Sequence, residues 1–315
     1  MDLPGPTVDH LNQKRICADE LDPALLQLQR STHLKGIAVS TAGVIAISPD
    51  SLLIRLIGAD VWTLSLWRGL LLALTLAVVQ LLRHRAGIVA CYVGMGRRGL
   101  LAGVLSGIGT ICFVSAITYT TLANVLILLG ATPLVTALMG RAFLGESVPA
   151  RTWVAIGGAL AGIAITVGGA VAGPQPGDLF ACGVVLCMAG YFTVVRSAGD
   201  VDMTPCIVIS GFVAALLALP FTRSGDLIAT QIPYLVLLCV VVIPLSFSLL
   251  TLGPRYLPAH EVALICLLEA VLGPYLVWLV VGEHPGTAAL VGGGIVLLVL
   301  TVHSLSGLRA DEQSS

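Results

Sequence analysis

Charge is what this sequence lacks most. Of 315 residues only 10% are Asp, Glu, Lys or Arg, against about 25% in ordinary soluble domains. The net charge is −1. No basic field is available to hold phosphates, which excludes a nucleic-acid binder. Apolar residues make up 57% and the mean hydropathy is +0.99, so a soluble globular enzyme and a disordered chain are excluded as well. The eight cysteines show no Cys-x-x-Cys spacing and read as small buried hydrophobes, with no disulfide, metal site or cofactor expected. There is no His-Glu-x-x-His, no Gly-x-Ser-x-Gly and no histidine cluster, so an intramembrane enzyme has no visible machinery. Residues 1–33 are polar and lack a basic region followed by an apolar one, so no cleaved signal is read there.

What is present is long apolar runs. A helix needs about 20 mostly apolar residues to cross a bilayer. Ten stretches meet this, at 36–54, 61–82, 100–117, 122–139, 152–172, 179–195, 204–221, 232–252, 260–281 and 286–305; they are spans 1 to 10 below. They are apolar all round without period-2 alternation, hence helices rather than barrel strands. The sequence predicts an all-α polytopic membrane protein, with lipid as solvent and no soluble domain. Its 35 glycines signal close helix packing, notably at Gly103-x-x-x-Gly107 and Gly158-x-x-x-Gly162.

Arginine placement orients the chain. With the N-terminus in the cytoplasm, 13 Lys and Arg residues fall inside, Arg55 and Arg223 fall outside, and Arg68 lies within span 2. That bias predicts a multi-pass protein of a cell inner membrane with both termini cytoplasmic.

The chain also repeats itself. Gly36, Arg55 and Gly58 recur at Gly177, Arg196 and Gly199, each shifted by 141. Tyr119, Val125, Gly145 and Glu146 recur at Tyr256, Val262, Gly282 and Glu283, each shifted by 137. Five spans per half is odd, so the second half enters from the opposite side and the repeat is inverted. The expected organisation is a tail at 1–33, five-helix repeats at 34–173 and 174–306, and a loose polar tail at 307–315. Inverted repeats suit transporters, because exchanging the conformations of similar halves turns an outward-open state into an inward-open one.

The run Gly253-Pro254-Arg255-Tyr256-Leu257-Pro258-Ala259-His260-Glu261-Val262-Ala263-Leu264, then Leu268-Glu269 and Gly282-Glu283, resembles the second repeat of an EamA-type member of the drug/metabolite transporter superfamily. Ala123-Asn124-Val125, Thr132-Pro133 and Leu144-Gly145-Glu146 resemble the matching part of the first. Ser48-Pro49-Asp50 and Trp67-Arg68 fit the same pattern. The resemblance implies ten helices, a central cavity and secondary transport of a small metabolite, with many bacterial members being exporters. Where the family often has Glu-Pro in span 9, this chain has Glu269-Ala270; the helix break there is expected to be weaker than at Thr132-Pro133.

A charge in hydrocarbon costs a few kcal/mol at least (about 2.5–3.5 at a helix centre), so intramembrane ionisable residues are functional candidates. Glu269 lies mid-span, where it suits proton exchange or a bond to a neighbouring helix. Arg68 stays charged and is expected to pair with Asp50, either pinning two helices or presenting Arg68 to a substrate carboxylate. Asn124 and Glu261 are repeat mates and are read as gate contacts or as helix caps. Ser48, Tyr119, Thr132, Tyr191 and Trp278 complete the candidate substrate-binding or coupling set. Expected partners are a small-molecule substrate, the bilayer and protons, in a monomer or homodimer. A lipid flippase and a non-transporting scaffold are the competing readings.

Overall fold

The computed structural model describes residues 23–84, 87–120, 122–167, 175–222, 231–281 and 287–313. Every regular element among them is helical. Among the described residues eight helical stretches are long and apolar enough to cross a membrane. Two shorter apolar helices, Pro205–Phe221 and Leu290–Ser304, stand at spans 7 and 10.

Span 1 comprises α1 (Pro23–Ile47) and α2 (Asp50–Ile57). Span 2 is α3 (Val61–His84) and span 3 is α4 (Ile88–Tyr119). Span 4 divides into α5 (Leu122–Gly130) and α6 (Thr132–Leu144). Then follow α7 (Ala150–Val167), α8 (Pro176–Ser197) and α9 (Pro205–Ala218). Span 8 runs through α10 (Ile232–Val236), a π turn over Leu237–Val242 and α11 (Ile243–Tyr256). Span 9 divides into α12 (Ala259–Cys266) and α13 (Glu269–Val281), and α14 (Thr287–Gln313) ends the chain.

The breaks have local causes. Proline removes an N–H and collides with the preceding turn. Pro49 lies in the turn between α1 and α2, Pro133 in the first turn of α6, and Pro244 in the first turn of α11, two residues past the π turn. Span 9 breaks without one. There the amides of Leu267 and Leu268 bond the carbonyls of Leu264 and Ile265, three residues back, in place of the α-helical ladder. Shifted by 137, the Ala131 turn maps onto Leu268, so both halves break at the same place. The expectation of a weaker break in the second half is corrected: the turn there spans Leu267 and Leu268, against Ala131 alone in the first half. Pro274 lies within α13, which continues through it.

The basic stretch between spans 2 and 3 contains a helical lead-in that turns at Gly96, whose φ is +53°. The C-terminal segment expected to be loose continues α14 to Gln313, as Leu308 to Gln313 are mostly good helix formers. Glu283, Arg223, Cys17 and the first 22 residues lie outside the described residues.

The glycines set the packing. Gly103 and Gly107 bring α4 against Ile209 and Val213 of α9, and Gly158 and Gly162 bring α7 against Val299 and Val296 of α14. A β-carbon on Gly69 would meet the backbone of Gly211, so α3 and α9 cross almost backbone to backbone.

The repeat glycines make exchanged contacts. Gly36 of the first half packs on Tyr256 and Leu257 of the second. Its mate Gly177 packs on Tyr119 and Thr120 of the first, which are the mates of Tyr256 and Leu257. Helix α8 shows where these junctions lie. Near its start, Asp178 accepts from Thr120; near its end, Arg196 donates to the carbonyl of Pro254. Those anchors are 18 residues apart, or about 27 Å at 1.5 Å per residue. Equivalent junctions of the two halves therefore sit at opposite ends of the bundle, as inversion requires. Gly58 and Gly199, also mates, end α2 and α8 in the left-handed conformation that glycine adopts without strain.

Candidate functional site

A cavity opens where the broken spans meet. Its volume is about 140 Å³, room for about five waters at the liquid share of about 30 Å³ each. Both halves line it. Ile47, Asp50, Arg68, Ser106, Thr110, Phe113, Leu129 and Thr132 come from the first, and Val184, Met188, Phe192, Phe247, Ala263, Cys266, Leu267 and Glu269 from the second. One part of the wall is polar and the rest aromatic and aliphatic, as in many small-molecule sites.

The residue that follows each of three helix breaks is polar and faces this space. Asp50 opens α2, Thr132 opens α6 and Glu269 opens α13. Thr132 and Glu269 are repeat mates, separated by 137. The breaks thus do a specific job: they turn the chain so that a polar first residue enters the cavity while the flanking turns stay apolar. Their backbone donors are largely used locally, as the amides of Ala131, Leu268 and Ala270 each bond a carbonyl three residues back.

Arg68 reaches from α3 to Asp50 with two parallel bonds, Nη1 to Oδ1 at 2.9 Å and Nη2 to Oδ2 at 2.8 Å. Both residues are buried. Bidentate guanidinium–carboxylate geometry combines two charge-assisted bonds in one plane, and the pair ties span 1 to span 2. Glu269 is half-buried and interacts electrostatically with both members of the pair. No hydrogen bond or ion pair to another described residue engages its carboxyl. Ser106, on the same wall, accepts from Ser210 of α9 at 2.9 Å.

Of the ten residues expected at a site, the structure brings four to the cavity: Glu269, Arg68, Asp50 and Thr132. The other six lie elsewhere. Ser48 donates back to the carbonyl of Val44 within the turn after α1. Tyr191 is buried, and its hydroxyl lies 2.5 Å from Thr251 Oγ1, joining α8 to α11. Tyr119 is exposed at a bundle end beside Phe180, and Trp278 packs edge-on against Tyr275.

Asn124 and Glu261 belong to two polar clusters at opposite ends. Asn124 donates to Asp178 at 3.1 and 3.3 Å. Asp178 also accepts from Thr120 Oγ1 at 2.6 Å and the Gln175 amide at 2.9 Å, completing a capping box at the start of α8. Glu261 lies 3.4 Å from His33 Nε2, and both line a small pocket that also includes His303. One cluster joins spans 4 and 6, the other spans 9 and 1, an exchanged pair like the glycine contacts. A third link, Arg196 to Glu146 at 2.8 Å, joins α8 to the segment after α6.

Ser106, Thr110 and the aromatic wall of Phe113, Phe192 and Phe247 are not foreseen from the sequence. Isolated hydroxyls and phenylalanines in apolar helices carry no pattern that separates cavity lining from lipid facing. Asp178 has a usable signal, standing three residues after Gln175 with Pro176 between, at a helix start.

No curated protein sequence matches this chain. Among solved structures, 29 chains match. One is a crystal structure that superposes with a TM-score of 0.73 at 17% identity, covering 87% of this chain and 98% of that one. At that identity the likeness is one of fold. The EamA-like transporter family matches residues 34–168 and again 175–305, so the family's unit occurs twice with the boundary just before α8. With its apolar helices, its doubled unit and its central cavity, the chain belongs to the EamA-like transporter family of the drug/metabolite transporter superfamily.

Proposed function

We propose that this protein is a secondary active transporter that exports a small organic metabolite, amino-acid-like or related, across a cell inner membrane by alternating access. In this reading ten spans cross the bilayer and both termini are cytoplasmic. The tails are 1–33 and 307–315, and the moving units are the repeats 34–173 and 174–306. The cavity is the substrate site and Glu269 carries the coupling proton. The observation that supports the reading best is that the polar cavity is walled by both halves and sits at the breaks of spans 4 and 9. Rocking the halves about such a site exposes it to each side in turn.

The experiment is flux into or out of proteoliposomes holding the purified full chain, under an imposed pH gradient, against a metabolite panel. Glu269→Gln is expected to abolish pH-driven flux while the protein stays in the membrane. Unchanged proton-driven flux in that variant would overturn the coupling role. Absence of flux for every compound would overturn the transporter reading.

A further inference from the structure

The charges on the cavity wall do not leave a site for an anion. Arg68 is the cation among the lining residues, and Asp50 takes the Nη1/Nη2 edge of its guanidinium and balances its charge. An incoming carboxylate therefore meets a cation already balanced by a buried anion, and drawing Arg68 away from Asp50 would leave that anion uncompensated, which is strongly unfavourable. The helix starts at Asp50, Thr132 and Glu269 add little positive field. Each follows end-on from the C-terminal end of the preceding half-helix, one or two residues away, and that end carries the opposite partial charge. With Glu269 protonated the described wall is neutral; with it ionised the wall has one net negative charge, since Arg68 is already balanced by Asp50.

The titratable and charged groups facing Glu269 come from several elements. They are Asp50 of α2, Arg68 of α3 and Cys266 of α12, with Cys239 of the π turn beyond the pair. Helices α1 and α14 also pack on α13, but their His33 and His303 stand beside Glu261 at the other end of α12. Phe113, Phe192 and Phe247 line the same cavity; such side chains suit an apolar body, and an aromatic ring face attracts a cation.

We infer that the cavity recognises an organic ammonium ion, with the charged nitrogen on the Glu269 carboxylate and a small apolar or aromatic body against the phenylalanines. The inference rests on the transporter reading and narrows its substrate to an amine. Binding is an exchange: the cation forms an ion pair with the carboxylate, and the proton held by the Glu269 carboxyl leaves to water. Proton and substrate then compete for one group, and antiport follows where the protein changes sides only with that carboxylate occupied.

The test uses the purified full chain in detergent at low buffer strength, with three probes of similar size: phenethylammonium, hydrocinnamate and neutral hydrocinnamamide. The expected result is stabilisation by phenethylammonium alone. Up to one proton should be released per cation bound, and affinity should rise up to tenfold per pH unit while Glu269 is protonated. Glu269→Gln should lose the release and the pH dependence, and Glu269→Asp should keep both. Preferential binding of hydrocinnamate, or cation binding without proton release across the pH series in the unmodified protein, would overturn the inference. The measurement on the unmodified protein stands even where a variant fails to fold. Proton-releasing binding with no flux in vesicles would defeat the transporter reading alone. Flux of a metabolite without cation-linked proton release would defeat this inference alone.

Discussion

Asp50 and Tyr191 hold equivalent positions in the two halves, separated by the repeat shift of 141, yet they do different work. Asp50 follows a proline break, faces the cavity and is paired with Arg68. Tyr191 lies in an unbroken helix, stays out of the cavity and bonds Thr251. Thr132 and Glu269 diverge the other way, with the acid in the second half. By contrast Gly36 and Gly177, and Gly58 and Gly199, keep both residue type and role. The halves agree where backbones must approach or turn and disagree where side chains face the cavity. Packing geometry is shared because a close backbone approach or a left-handed turn admits little but glycine; a cavity-facing position carries no such constraint.

Removing Arg68 should open the widest gap between the halves. Arg68→Leu leaves Asp50 buried without its cation and should cost about 3–5 kcal/mol, read as loss of monodisperse protein in detergent. Replacing both partners, Asp50→Leu with Arg68→Met, should recover most of the stability but not transport. Full stability in the single variant would mean that the pair pins nothing.

A smaller effect is expected at the repeat glycines, and it should be unequal. Gly177→Ala drives a β-carbon into the backbone of Tyr119 and Thr120 and should cost about 1–3 kcal/mol in thermal unfolding. Gly36→Ala meets mainly the side chain of Leu257, which can rotate, so its cost should be lower. Equal costs would contradict the difference in contacts at the two ends.

Tyr191→Phe should have the least effect, about 1 kcal/mol. Thr251 still donates to the Phe247 carbonyl at 2.6 Å after the phenol is gone. A loss as large as that of Arg68→Leu, measured by the same unfolding assay, would show that the two mates are equally structural.

Much of this architecture is legible in the order of the residues. Arg68 and Asp50 pair because a guanidinium in hydrocarbon must find an anion, and their depths in spans 1 and 2 match. The repeat glycines announce the two halves. Glu269 is visible as a buried acid but reads as a mid-helix residue, since no proline marks the turn at Leu267 and Leu268. Tyr191 and Ser48 show the limit in the other direction: a hydroxyl in an apolar run looks the same whether it faces a cavity, a neighbouring helix or its own carbonyl.

Composition and spacing alone determined the helical class, the apolar surroundings, the repeat and the two members of the ion pair. Each of these follows from local chemistry: chain length against bilayer thickness, glycine against crowding, charge against hydrocarbon. Which polar groups share one cavity was decided only in three dimensions. Asp50, Thr132 and Glu269 come together through three helix breaks, far apart in the chain, and only the packing of one half against the other sets where those breaks meet.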